Sequence, residues 1–217
     1  MAVEAFLFDL DGTLVDSERL WVAAAEEVLR EKGHPVTHDE ALALIYGRAW
    51  GDIRADLLRD YPGSFEGVED LEGLMGEAFQ RLQGACDIRI ASSISLLRRL
   101  AGTHPVGIVS GSSRRVVEEM LELAGVADLV ACIVSTEDTP RGKPDPAPYL
   151  LGAQRLGVRP EGCVVFEDSR AGVLSAKAAG MVAIGLQRDG APWQDLSQAD
   201  EVVADLGDLA IERLLGT

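Results

Sequence analysis

Lysine is almost missing from this chain. Of its 20 basic residues only Lys32, Lys143 and Lys177 are lysines. A lysine held in a constrained loop is therefore conspicuous. Bases as a whole are short, 20 against 36 acids, which leaves a net charge of −16. A protein that acidic repels nucleic-acid phosphates and anionic membrane surfaces, so neither is expected as a partner. Any anion it binds must meet a local positive field: a metal ion, a few bases or helix N-termini. Cysteine is scarce as well. Cys86, Cys132 and Cys163 are far apart and form no Cys-x-x-Cys pair. That speaks against structural zinc and a disulfide framework and fits a reducing cytoplasm. Cys132 and Cys163 lie in apolar runs and read as small buried hydrophobes. No apolar run approaches the ~20 residues that span a membrane. The first base is Arg19, so the basic start of a signal peptide is not expected. Fixed-period repeats and low-complexity tracts are also missing.

What remains is an ordinary globular composition, 47% hydrophobic and 26% charged over 217 residues. That length suits one core domain with a smaller insertion. Residues 3–10 form a short apolar run ending in Asp-Gly, the mark of a buried strand. Similar strands are expected at 104–110, 129–135, 162–166, 181–186 and 201–204. Helical spacing lies between them. Residues 114–124 place Val116, Val117, Met120, Leu121 and Ala124 on one face and stop at Gly125. Residues 146–156 open on Asp145 as N-cap and Pro146 at the first helical position, and 171–179 end at Gly180. Strands alternating with helices predict a doubly wound parallel sheet with helices on both faces. Residues 16–85 break the rhythm. Four helices and no strand are expected there, over about 17–32, 38–46, 50–60 and 66–83, with Asp16 and Ser17 as cap candidates. This third of the chain holds 15 acids and 7 bases, half of the net charge. It reads as a helical domain inserted into a core made of 1–15 and 86–217.

Four segments carry chemistry. Asp9-Leu10-Asp11-Gly12-Thr13 ends the first strand. Side chains two apart on a strand share a side, so Asp9 and Asp11 would converge beyond the carboxyl edge of the sheet, where ligands bind in such folds. Two close carboxylates need a cation or a proton between them. That favours a divalent metal, or a nucleophile paired with an acid and base. Ser110-Gly111-Ser112-Ser113 joins a strand to a helix. Ser110, Gly111 and the helix-start N–H groups suit an anion cradle, while Ser112 and Ser113 equally suit helix capping. Lys143 sits in the stiff string Gly-Lys-Pro-Asp-Pro, where its ammonium can offset a carboxylate or a phosphate oxygen. Glu167 and Asp168 end another strand and suit Mg²⁺, which takes one or two protein carboxylates. Together these are the parts for phosphoryl transfer.

Those residues, in that order, resemble the haloacid dehalogenase superfamily of phosphohydrolases. The string Phe8-Asp9-Leu10-Asp11-Gly12-Thr13-Leu14-Val15-Asp16-Ser17 and Gly142-Lys143-Pro144 carry the likeness. Residues 16–85 then resemble the helical cap of the β-phosphoglucomutase-like and sugar phosphatase branch. The resemblance implies a Rossmann-like core and a Mg²⁺-dependent phosphatase acting on a small phosphorylated metabolite, a sugar or polyol phosphate. Asp9 would be the nucleophile and Asp11 the acid and base. Ser110, Gly111 and Lys143 would hold phosphoryl oxygens. Asp9, Asp11 through its carbonyl, Asp168 and Glu167 would serve the metal. A phosphomutase is the alternative. Mutases of this branch carry a cap histidine where this chain has Trp21, and tend to have Val where it has Thr13; both departures favour hydrolysis. Trp21 and Arg48 are the candidate cap contacts to substrate, although Trp21 shares a face with Ala24 and Val28 and equally suits packing. A monomer is expected.

Overall fold

The computed structural model describes residues 3–45, 50–65, 68, 71–83 and 87–212, leaving aside the side chain of Gln83. The chain divides into two compact units, Met1–Val15 with Arg89–Thr217, and Asp16–Ile88.

The first unit is built on six parallel strands: β1 Ala5–Phe8, β2 Val106–Val109, β3 Cys132–Val134, β4 Cys163–Glu167, β5 Val182–Leu186 and β6 Glu201–Val203. Their order is β3-β2-β1-β4-β5-β6. Strand β1 is central and wholly buried, with Leu7 level with Gly107 on one side and Val165 on the other. Burial on both faces is why it reads as continuous apolar sequence rather than as an alternation. Ala5 and Leu7 join Tyr149, Ala153, Val173 and Ala176 in one cluster. Phe6 and Phe8 instead stack on Phe166, at 6.0 and 4.5 Å between ring centres. Among the described residues this unit carries the α-helices α5 Ala91–Ala101, α6 Arg114–Ala124, α7 Ala147–Leu156 and α8 Arg170–Ala178. The chain winds outward through β2 and β3, then returns to β4 and winds the other way. The reversal falls between β1 and β4, the place where an open parallel sheet leaves a crevice at its carboxyl edge.

The second unit holds α1 Ser17–Glu31, α2 His38–Ile45, α3 Trp50–Asp60 and α4 Leu71–Gln83. Val28, Leu29, Ala41, Ile53, Leu57 and Met75 are among its buried core. Trp21 packs on Phe79 at 4.5 Å and on Trp50 at 6.4 Å.

Several local expectations need correction. Helix α5 has no counterpart in the sequence reading. Helix α4 runs Leu71–Gln83 and Val68 before it is not helical, while 66, 67, 69 and 70 of the expected helix lie outside the described residues. Helix α7 starts at Ala147 with Pro146 as its N-cap, while the Asp145 carboxylate accepts from the Ala147 N–H at 3.0 Å, one position short of a cap. Asp16 stands at the N-cap of α1 without a side-chain capping bond. Cys163 is buried as expected but Cys132 only half so, and Cys86 lies outside the described residues.

Candidate active site

Strand β1 ends at Phe8, so Asp9 and Asp11 stand in the loop beyond it, not on the strand. The Asp9 N–H donates to the Phe166 carbonyl at 3.0 Å and ties the loop to β4. The chain then turns sharply, with the N–H groups of Thr13, Leu14 and Val15 all directed at the Leu10 carbonyl. Gly12 takes φ +84 in this turn. A Cβ there would lie 1.9 Å from Asp168 Oδ2, so only glycine lets the Asp168 carboxylate approach the loop.

Lys143 is the hinge of the charge arrangement. Its ammonium donates to Asp9 Oδ1 at 2.6 Å, to the Val109 carbonyl at 2.8 Å and to Glu167 Oε1 at 2.5 Å. All three ammonium protons are spent on the protein. The side chains of Lys143 and Asp9 are 12% and 10% exposed, and that of Glu167 is fully buried. Burial, helped by the Glu167 and Asp11 charges and opposed by Lys143, raises the Asp9 carboxyl to about 7. Burial works against the Lys143 ammonium, but the two carboxylates outweigh it and hold the amine protonated above its ordinary range.

Glu167 is fixed on every side. Oε1 accepts from Lys143 and from the Tyr149 hydroxyl at 2.8 Å. Oε2 accepts from the Ser169 N–H at 3.1 Å and hydroxyl at 2.8 Å. A Cβ on Gly172 would collide with this carboxylate at 1.7 Å, so glycine in the first turn of α8 lets Glu167 lie against the positive end of that helix. Ser169 caps α8 in turn, accepting from the Gly172 N–H at 3.0 Å.

Carboxylate oxygens of Asp9, Glu167 and Asp168 lie within 4.8 Å of one another. Three carboxylates converge beside one ammonium, and the donors are all hard oxygens. That set suits a divalent cation such as Mg²⁺. The Asp11 carboxylate is not in this cluster. Its Oδ2 accepts from the Ser112 hydroxyl at 2.9 Å.

The anion cradle differs from the sequence reading in one respect. Ser110 is buried and its Oγ accepts from the Ser112 N–H at 3.0 Å. Gly111 is exposed beside it. The start of α6, however, is already met from within the chain: the Arg114 N–H points at the Glu137 carboxylate, 3.1 and 3.2 Å from its oxygens. Ser113 is the N-cap of α6 and makes no side-chain capping bond. The available cradle is therefore Ser110 and its loop, not the whole helix start.

Asp9, Ser110, Lys143, Glu167 and Asp168 are thus brought to one end of the sheet, with Asp11 in the same loop as Asp9. Trp21 belongs to the helical unit and is packed on aromatics there; Arg48 lies outside the described residues. Three contributors carried no signal in the sequence. Tyr149 looks like any core aromatic on α7. Ser112 looks like a cap. Arg188, whose Nε donates to the Gly12 carbonyl at 3.0 Å, looks like a loop arginine after β5.

Comparison with known proteins places the chain in a family. A family model described as haloacid dehalogenase-like hydrolase matches residues 3–180. Hexitol phosphatase A of Escherichia coli K12 is 36% identical over 224 residues, covering 98% of this chain and 96% of its own. Validoxylamine A 7′-phosphate phosphatase of Streptomyces hygroscopicus subsp. limoneus is 31% identical, covering 92% of each. Among solved structures, a haloacid dehalogenase family hydrolase from Deinococcus radiodurans R1, crystallised with phosphate and sodium, superposes with a TM-score of 0.79 at 31% identity, over 97% of this chain and 95% of that one. The chain belongs to the haloacid dehalogenase-like hydrolases, and within them it is a phosphatase.

Proposed function

We propose that this phosphatase hydrolyses a small sugar or polyol phosphate monoester through an aspartyl-phosphate on Asp9. One observation carries the reading: a buried carboxylate, Asp9, is held by an ammonium beside two more carboxylates at the switch point of the sheet. The substrate class rests on the two relatives named above, a hexitol phosphatase and a validoxylamine A 7′-phosphate phosphatase.

In this reading an Asp9 oxygen forms a bond to phosphorus as the phosphorus–oxygen bond of the ester breaks. The leaving oxygen takes its proton from Asp11 and departs as an alcohol. Asp11 then accepts a proton from water, the water oxygen bonds to phosphorus, and the Asp9–phosphorus bond breaks. Inorganic phosphate leaves and the Asp9 carboxylate is regenerated. Ser110, Gly111 and Lys143 hold the phosphoryl oxygens. Lys143 gives up its bond to Asp9 for one to the phosphoryl group, so positive charge stays beside the reacting centre throughout. Asp9, Asp168 and the Asp11 carbonyl would hold Mg²⁺ with Glu167 in support, and the ion when bound supplies charge neutralisation for an anionic nucleophile meeting an anionic ester. The helical unit acts as the family's cap and sets which leaving group is accepted, with Arg48 and Trp21 as its candidate contacts. The enzyme works as a cytoplasmic monomer on a free metabolite.

A screen of phosphate monoesters with Mg²⁺, scored by kcat/KM, tests the reading. Hexitol and related sugar phosphates are expected to lead, and chelator to abolish turnover. Full turnover in EDTA with no bound metal would sink the metal assignment. Faster conversion of one sugar phosphate isomer into another than release of phosphate would replace hydrolysis with the mutase reaction. The Trp21 position, where mutases of this branch carry histidine, supports water as the acceptor.

A further inference from the structure

We propose that Ser112 is a positioning residue for Asp11, an inference that rests on the proton-carrying role given to Asp11 above. The Ser112 hydroxyl donates to Asp11 Oδ2 at 2.9 Å, a bond between residues 101 positions apart. The Ser112 N–H donates to Ser110 Oγ at 3.0 Å. One residue thus joins the proton carrier to the hydroxyl assigned to the phosphoryl group. Ser112 has no competing duty at the helix that follows, because Ser113 is the N-cap of α6 and that helix start is met by Glu137.

The contrast with Asp9 makes the bond informative. Asp9 is buried and gripped by Lys143, whereas Asp11 is half-buried and its carboxylate stands outside the acidic cluster. A carboxylate that must face first a leaving oxygen and then a water needs a fixed direction. A hydroxyl donor at one oxygen supplies it without adding charge. Ser110 Oγ is in turn engaged as an acceptor by the Ser112 N–H, which leaves its own proton directed elsewhere, toward a bound oxyanion.

The consequence is a dependence on the leaving group. An alkoxide needs the Asp11 proton as the ester bond breaks, and a nitrophenolate hardly does. The test uses the metal-loaded enzyme with a hexitol 6-phosphate and with 4-nitrophenyl phosphate. The readout is kcat/KM, which covers the steps up to departure of the alcohol. Ser112→Ala keeps the N–H to Ser110 and removes only the hydroxyl. It is expected to lower kcat/KM about 30-fold for the hexitol ester and at most about 3-fold for the nitrophenyl ester, less than the roughly 10²–10⁴-fold of a whole general acid because Asp11 itself remains. Equal losses on the two esters, as from a loosened loop, overturn the proposal, and so does no loss on either. Asp11→Asn separates the two layers of argument. If it shows the same selectivity, more strongly, while Ser112→Ala does not, only the positioning role falls. If Asp11→Asn is itself unselective, the role of Asp11 falls and the proposal with it.

Discussion

The two units differ most in what they bury. In the sheet unit the buried polar side chains are Asp9, Thr13, Ser93, Ser110, Ser135, Glu167 and Ser175. In the helical unit, among the described residues, the only one is Asp16, at its first position. The rest of that interior is aliphatic and aromatic. Burying a polar group costs free energy unless it is paired, and inside a protein each pairing is stronger than in water. The sheet unit accepts that cost around Asp9 and Glu167 and satisfies them with Lys143, Tyr149 and Ser169. The helical unit carries no such investment. Buried polar pairing and folding are entangled in the sheet unit and separate in the helical one.

The sharpest way to break that contrast is Asp9→Asn. It keeps shape but removes the anionic nucleophile. The expected loss in kcat is at least ~10⁴-fold, as when a catalytic unit loses its nucleophile. The unfolding midpoint should hold, because burial and the Glu167 and Asp11 charges already oppose the Asp9 carboxylate, and Lys143 keeps Glu167 as its partner. A variant near the native rate leaves Asp9 no nucleophilic role.

Lys143→Met should show the entanglement directly. It leaves Asp9 and Glu167 buried without their shared cation. Removing one partner of a buried ion pair costs about 3–5 kcal/mol of stability. Losing a preorganised positive group beside the reacting centre lowers kcat by about 10²–10³-fold. Urea unfolding and steady-state rates on the same sample check both. A loss of rate with stability intact would mean the ammonium serves the substrate alone.

Tyr149→Phe is a gentler version. It removes one of two donors from Glu167 Oε1 at constant volume. A stability loss of about 1–2 kcal/mol is expected for the weakened buried network. Since Glu167 then orients Lys143 less firmly, kcat should drop by roughly 3–10-fold with KM little changed.

How much of this was legible follows from where the signals lie. The strands were readable because six short apolar runs are punctuated by turn residues, and β1 stands out by the two acids in the loop that follows it. Helix α6 was readable because Val117, Met120, Leu121 and Ala124 are spaced for one face and Gly125 then adopts φ +66. Helix α5 was not, because Ala91-Ser92-Ser93 opens it with a weak start and its cap position, Ile90, offers no side-chain bond. In the site, Asp9, Lys143, Glu167 and Asp168 were visible as charges placed where the surrounding sequence is apolar or stiff. Tyr149 was invisible because its value lies in a hydroxyl that meets Glu167 18 positions later, on a helix face that reads as core. Ser112 was read as a cap, since serine before a helix has a local explanation and its bond to Asp11 does not. Local pattern reports elements and outliers; it does not report which distant polar atoms are paired.

The smallest effect on chemistry should come from the helical unit, and Leu57→Ala tests that half of the contrast. Leu57 lies on α3 and is fully buried in the apolar core of that unit. Truncation to alanine removes transfer free energy and leaves a cavity, at a cost of about 2–5 kcal/mol. The tryptophans are well placed to report it. Trp21 and Trp50 are partly buried in this unit, Trp21 against Phe79, while Trp193 in the sheet unit is 78% exposed and changes its surroundings little on unfolding. Intrinsic fluorescence in urea therefore follows the helical unit, and its midpoint should fall clearly in the variant. Without denaturant, hydrolysis of 4-nitrophenyl phosphate should stay within about 3-fold of native in kcat, since Leu57 is buried in the apolar core of its own unit and independent sites change one another little. A loss of 100-fold in the folded variant would mean the helical unit supplies part of the chemistry, and the division between the two units would fail.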